Sequence, residues 1–119
     1  MAYGDWDKVL AAFESISISP RYEEHARGMI SLIPHIRREI PHIRRETVFS
    51  DVVPIVSLGV LRLEIPDKRM LVSIWCNQIE ESYTIFLEHH EHGLVRELEA
   101  KNTAIIAVLA DFVNEIRKS

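Results

Sequence analysis

Val60-Leu61-Arg62-Leu63-Glu64-Ile65-Pro66-Asp67-Lys68-Arg69-Met70-Leu71-Val72-Ser73-Ile74-Trp75-Cys76 reads as two strands and the turn between them. Leu61, Leu63 and Ile65 alternate with Val60, Arg62 and Glu64, the period of two that sends successive side chains to opposite faces of a sheet. Pro66 and Asp67 bring turn chemistry, and Met70, Val72, Ile74 and Cys76 then form the apolar side of the second strand. Downstream, Asn77-Gln78-Ile79-Glu80-Glu81 predicts another turn. Tyr83, Ile85 and Leu87 alternate with Ser82, Thr84 and Phe86, adding a third antiparallel strand. Leu94 to Leu98 reads either as a fourth strand or as the start of the next helix.

The flanks change period. Asp5 is placed to cap a short helix in which Trp6, Val9, Leu10 and Phe13 recur at helical spacing. Ser15-Ile16-Ser17-Ile18-Ser19 reads as a connector, and Ser19-Pro20 with Glu23 and Glu24 suits the start of a second helix. Its apolar stripe runs Tyr22, Ala26, Met29, Ile30, Ile33, Ile36, Ile40 and Ile43. The stripe passes through a perfect tandem repeat, Ile33-Pro34-His35-Ile36-Arg37-Arg38-Glu39 followed at once by Ile40-Pro41-His42-Ile43-Arg44-Arg45-Glu46. A seven-residue insertion keeps a helical face nearly in register, drifting about 20°. Each proline costs roughly 3 kcal/mol in a helix interior, so the expectation is a helix kinked at Pro34 and Pro41, the alternative being one that ends near Ile33. Asn102 or Thr103 is expected to cap a last helix carrying Ile105, Ile106, Leu109, Phe112, Val113 and Ile116 on one stripe.

Helices before and after a meander imply an α+β class. The expected architecture is a single domain over residues 1–119, a three- or four-stranded antiparallel sheet with two N-terminal helices and a C-terminal helix packed on it. The second sheet face is too apolar for a solvent face, because Val60, Leu71, Trp75 and Phe86 all point there. Either an N-terminal helix covers it, or a subunit partner or ligand does.

Composition narrows the class of protein. With 47% hydrophobic and 27% charged residues the chain is of ordinary globular make-up, and its net charge of −4 argues against a general nucleic-acid binder. The single cysteine, Cys76, precludes an intramolecular disulfide, which fits a reducing cytoplasm. No run approaches the ~18 apolar residues of a membrane span, and Met1-Ala2-Tyr3-Gly4-Asp5-Trp6 lacks the pattern of a secretory signal.

Three sets of residues could carry chemistry. Glu88, His90 and His92, within Glu88-His89-His90-Glu91-His92, share a face if the third strand continues, and imidazole with carboxylate suits zinc or a similar ion; the plain reading is a solvated strand end. Arg37, Arg38, Arg44 and Arg45 could grip an anionic partner, although Glu39 and Glu46 interrupt them and mixed charge on a helix ordinarily marks an exposed face. Cys76 alternates with Val72 and Ile74 and reads as packing. Isolated glycines leave no phosphate-cradling loop, and neither a nucleophile elbow nor an H-E-x-x-H motif occurs, so no catalytic residue and no cofactor is indicated.

Val52-Val53-Pro54, Gly59-Val60-Leu61-Arg62-Leu63-Glu64-Ile65 and the strands that follow, as far as Leu87, resemble small uncharacterised bacterial α+β proteins, some found on mobile elements or beside toxin genes. That resemblance implies a compact sheet-and-helix domain and no particular activity. The residues themselves suggest a binding or interaction protein that forms a homodimer or other homo-oligomer, through Ile36, Ile40 and Ile43 of the helix stripe or through Leu71, Trp75 and Phe86 of the outer sheet face. The competing expectation is a metal- or small-ligand-binding protein, with or without enzymatic activity, built on the His89–His92 cluster.

Overall fold

Period-two alternation and the helical stripes both find their counterparts in the computed structural model, which describes residues 2–3, 5–17, 23–57, 60–77 and 82–118. In chain order the elements are β1 (Ala2–Tyr3), α1 (Trp6–Ser17), α2 (Glu23–Arg45), a 3₁₀ turn at Thr47–Phe49, β2 (Val53–Ser57), β3 (Val60–Ile65), a 3₁₀ turn at Pro66–Lys68, β4 (Met70–Asn77), β5 (Ser82–His89), β6 (Gly93–Lys101) and α3 (Ile105–Lys118). The class is α+β with three helices, as expected. The sheet is larger than the expected three or four strands: six run in the order β1-β2-β3-β4-β5-β6, every neighbouring pair antiparallel.

The additional strands lie on the N-terminal side. β2 pairs Val56 with Leu61 and Pro54 with Leu63. A proline cannot donate to a ladder and is confined to edges; β1 reaches only Val56 and Ile55, so the edge is open beside Pro54. Leu94 to Leu98 lies within a strand, settling the open choice between strand and helix. The expected cap at Ser19 and Pro20, the Tyr22 end of the helical stripe, Gly59 and the turn residues Gln78 to Glu81 fall outside the described residues, as do the side chains of Ala26, Met29 and Ile30.

Helix α1 starts where Asp5 accepts a hydrogen bond from the Asp7 N–H at 2.9 Å, the cap its sequence indicates. It extends to Ser17, so Ser15, Ile16 and Ser17 belong to the helix and not to a connector. Helix α2 is continuous through Pro34 and Pro41. Both prolines are exposed; the carbonyls they leave unbonded, those of Ile30 and Arg37, therefore lie on the solvent side of the helix, where curvature and water can satisfy them. The opposite side carries Ile33, Ile36, Ile40 and Ile43, each at most 7% exposed. Burying four isoleucines is worth about 6–12 kcal/mol against about 6 for two interior prolines, and the helix survives. These isoleucines pack inside the chain, which corrects their assignment to a subunit interface.

One core cluster joins Val9 and Phe13 of α1, the α2 isoleucines, and Leu109, Phe112 and Val113 of α3 to Leu61, Leu63, Val72, Ile74, Tyr83, Ile85 and Leu87 of the sheet. Every strand residue in it belongs to one face. All three helices thus form a layer on that face, with α1 against α2 and against β1 and β2, and α3 against α2, β6 and the Thr47–Phe49 turn. Helix α3 begins one residue after Ala104, so neither Asn102 nor Thr103 occupies the cap position expected of it; the Asn102 Oδ1 is buried without a hydrogen-bond partner among the described residues.

Unfolding in urea tests this account of α2. Ile36→Ala and Ile43→Ala should each lower stability by about 2–5 kcal/mol, whereas Pro41→Ala should raise it by about 1–2 kcal/mol, since it restores a helical hydrogen bond and loses only the stiffness proline gives the unfolded chain.

Candidate functional site

With the helices gathered on one side, the other face of the sheet is left without a covering element among the described residues. The pairings Glu64 with Leu71, Arg62 with Ser73, Ser73 with Phe86 and Trp75 with Thr84 place Leu71, Trp75 and Phe86 together on it. Neither α1 nor α2 covers these residues, so the first of the two expected explanations for this face fails. Trp75 is 48% exposed and meets Phe86 edge-on, ring centroids 6.3 Å apart, a favourable arrangement of two aromatic quadrupoles. Leu71 and Phe86 are half-buried, as are Val53 and Ile55 farther across the face, while Val60 is buried. At the floor of the face the Ser73 hydroxyl and the Arg62 Nε are buried without hydrogen-bond partners among the described residues.

The margin toward β6 is polar. Phe86 pairs with Glu97, Thr84 with Glu99 and Ser82 with Lys101, and Ser82 Oγ donates to Glu99 Oε1 at 2.5 Å. As an edge strand, β6 carries the features that discourage pairing with another chain. A bulge opposite Leu87 and Glu88 makes Val95 the extra residue. Arg96 is a charge on the helix side, stacked over Phe112 at 5.4 Å and bonded to Glu115 at 3.3 Å. The edge is guarded, while no described element covers the face.

The histidines are arranged differently from the expectation. Strand β5 ends at His89, and His90 to His92 form the turn into β6, so Glu88, His90 and His92 do not share a strand face. The group brought together is His89, Glu91 and His92, whose candidate ligand atoms all lie within 4.8 Å of one another.

The four arginines are separated in the same way. Arg37 reaches Glu14 at 3.2 Å and Arg44 reaches Asp7 at 2.8 Å, both across to α1. Arg38 bonds the ring of His35 at 2.6 Å. Arg45 lines a cleft of about 390 Å³ with Glu39, His42, Glu46, Asn102, Thr103 and Ile106. Two of the four groups thus serve as clasps between helices.

Sequence reasoning missed Tyr83. Its ring is buried beside Cys76 on the neighbouring strand β4, and its hydroxyl has no hydrogen-bond partner among the described residues. Burial pushes its phenol well above the ordinary tyrosine range; Cys76 and Glu39 add to the rise and Arg38 opposes it. Burial also pushes the Cys76 thiol up, which makes it a poor nucleophile, in keeping with packing. The alternation that put Tyr83 on the apolar side was visible; that its hydroxyl would go unsatisfied was not.

No family model matches the chain, and no curated protein or solved structure does. None of the described helices is long and apolar enough to cross a membrane.

Tyr83→Phe removes a buried, unsatisfied hydroxyl and should stabilise the fold by about 1 kcal/mol near neutral pH. Because folding raises the phenol pKa, the native state keeps a proton that the unfolded chain releases. The associated stability is complete below about pH 10 and declines as pH rises beyond it. Denaturant unfolding of both proteins from pH 8 to 11 should show a steeper alkaline decline for the wild type.

Proposed function

We propose that this chain is an interaction protein whose partner is a second copy of itself, docked on the uncovered face of the sheet. The observation that carries the reading is the exposed Trp75 standing against Phe86 on a face with no covering element among the described residues. Large contiguous apolar patches are uncommon on monomers and mark association surfaces, and aromatic anchors are the residues that dominate interface energetics.

Size supports the choice of partner. Five full strands at about 4.8 Å spacing and about 3.3 Å per residue give a face of roughly 20 by 23 Å in plan. That plan area, about 460 Å², is of the same order as the ~800 Å² per partner of a standard interface. A two-fold axis running along β4 would set β3 of each copy over β5 of the other. Arg62 would then approach the margin carrying Glu97 and Glu99, so opposite charges would ring an apolar centre.

Light scattering on tag-free protein across a wide concentration range tests the proposal. A dimer is expected, and Trp75→Arg should weaken its association at least thirtyfold, consistent with losing ~2 kcal/mol or more at an anchor. The variant should keep its fold, since Trp75 lies outside the core. A monomer at every concentration would refute the reading.

A further inference from the structure

At the end of the sheet where β3 turns into β4, a second turn joins β5 to β6, and the two are tied together. Arg69 closes the first in a left-handed conformation, φ 52°. Its carbonyl accepts the His90 N–H at 3.1 Å, and its guanidinium donates to Glu91 Oε1 at 2.7 Å. Gly93, at φ 78°, returns the chain to β6 through a conformation that residues with a side chain rarely adopt. Between these fixed points the rings of His89 and His92 stack, centroids 4.6 Å apart and planes inclined by 29°. Glu91 stands beside them.

From this arrangement we infer a binding site for one divalent transition-metal ion of the zinc class, ligated by an imidazole nitrogen from each of His89 and His92 and a carboxylate oxygen of Glu91. The donor set suits that class: imidazole is a borderline ligand, and two with one carboxylate form a set such ions accept. Three ligands about 2.1 Å from one ion lie about 3.4 Å apart in tetrahedral geometry. The present ligand atoms lie within 4.8 Å of one another, so side-chain rotation alone can draw them in. Glu91 and His92 are exposed and His89 is half-buried, which leaves them room to rotate.

Two contacts must adjust. The His89 Nδ1 now accepts the Glu91 N–H at 3.1 Å; if that nitrogen ligates the ion, the N–H turns to water, at little cost on an exposed turn. Arg69 holds one oxygen of Glu91, leaving Oε2 for the ion. That contact orients the carboxylate as outer-shell partners do at metal sites, while the guanidinium charge reduces affinity. Three protein ligands leave at least one position for water, so the site is an exchangeable one. It involves none of Leu71, Trp75 and Phe86, and does not depend on self-association.

Calorimetric titration of tag-free protein with Zn²⁺, and separately with Ni²⁺, tests the inference. One equivalent is expected to bind in the micromolar range, releasing protons and weakening in acid, because imidazoles ligate only when neutral. His92→Ala and Glu91→Gln should each weaken binding at least tenfold. His90→Ala and Glu88→Gln, which alter the neighbouring residues, should leave it within about twofold. Absence of saturable binding up to millimolar metal would overturn the inference, as would equal losses on substituting His90 and His92, which would mean that His90 serves the ion as much as His92 does. Should His89→Ala disturb β5, the His92 and Glu91 variants still decide the matter, because both side chains are exposed.

Discussion

The seam of four isoleucines under α2 is the contact on which the layering of this protein depends. Ile33, Ile36, Ile40 and Ile43 recur at spacings of three, four and three, a heptad pattern that holds one narrow face of the helix toward the core. The same seven-residue interval governs the neighbouring contacts. Arg37 and Arg44, equivalent positions in the two repeat copies, bond to Glu14 and Asp7, which are themselves seven residues apart on α1. The pairing runs in opposite senses along the two helices, so they lie antiparallel. Exposed ion pairs of this kind each contribute at most about 1 kcal/mol; they set the alignment of α1 on α2 while the isoleucines supply the energy. An insertion of another length, such as five residues, would rotate the downstream half of α2 by about 140° and expose half of the seam.

With the helical layer on one face, the second face has no covering element among the described residues. The six strands lie in the sheet in chain order, β1 and β2 being joined through α1 and α2, and no described element crosses to the far side. The outcome is two outward surfaces of different character. The β6 edge has a bulge, an ion-paired arginine on its helix side and carboxylates on the other, all of which oppose strand addition. The outer face has aromatic and aliphatic side chains with buried polar atoms below them. Protection at the edge together with exposure on the face favours packing of faces over growth of the sheet, which is a closed form of association and not an open-ended one.

Much of this arrangement was legible in the sequence because the strand registers were. The alternation from Val60 to Cys76 and from Ser82 to Leu87 was not interrupted, and each residue is on the face its parity assigned. Two elements were obscured by local chemistry. In β6 the bulge at Val95 inserts a residue, so Leu94, Val95 and Leu98 fall at spacings of one and three, which mimic a helix as readily as a strand. In β2 the short run with Pro54 near its start reads as a breaker, and only the limited reach of β1 makes it tolerable. The side of the sheet chosen by α1 and α2 was not legible at all. Amphipathic stripes state that a helix has an apolar face, not which surface it will meet.

Functional candidates were legible to the extent that they depended on local spacing. Continuation of β5 to His92 would have put His90 and His92 on one face, but the turn that Gly93 closes rotates His90 away and brings His89 to His92 instead. Residue types were informative, and the backbone conformation of one glycine decided their grouping. The arginines went the same way for a different reason: α1 offers Glu14 and Asp7 at matching intervals, and charges satisfied within the fold are a smaller attraction for an outside anion. The arginine pairing could not be read from a single segment, because it depends on what α1 places beside α2. The outer face is the exception. Trp75 and Phe86 met because two strands paired in the register their alternation demanded, and a surface specified so directly by pattern is the one on which a functional reading of this chain has the firmest physical basis.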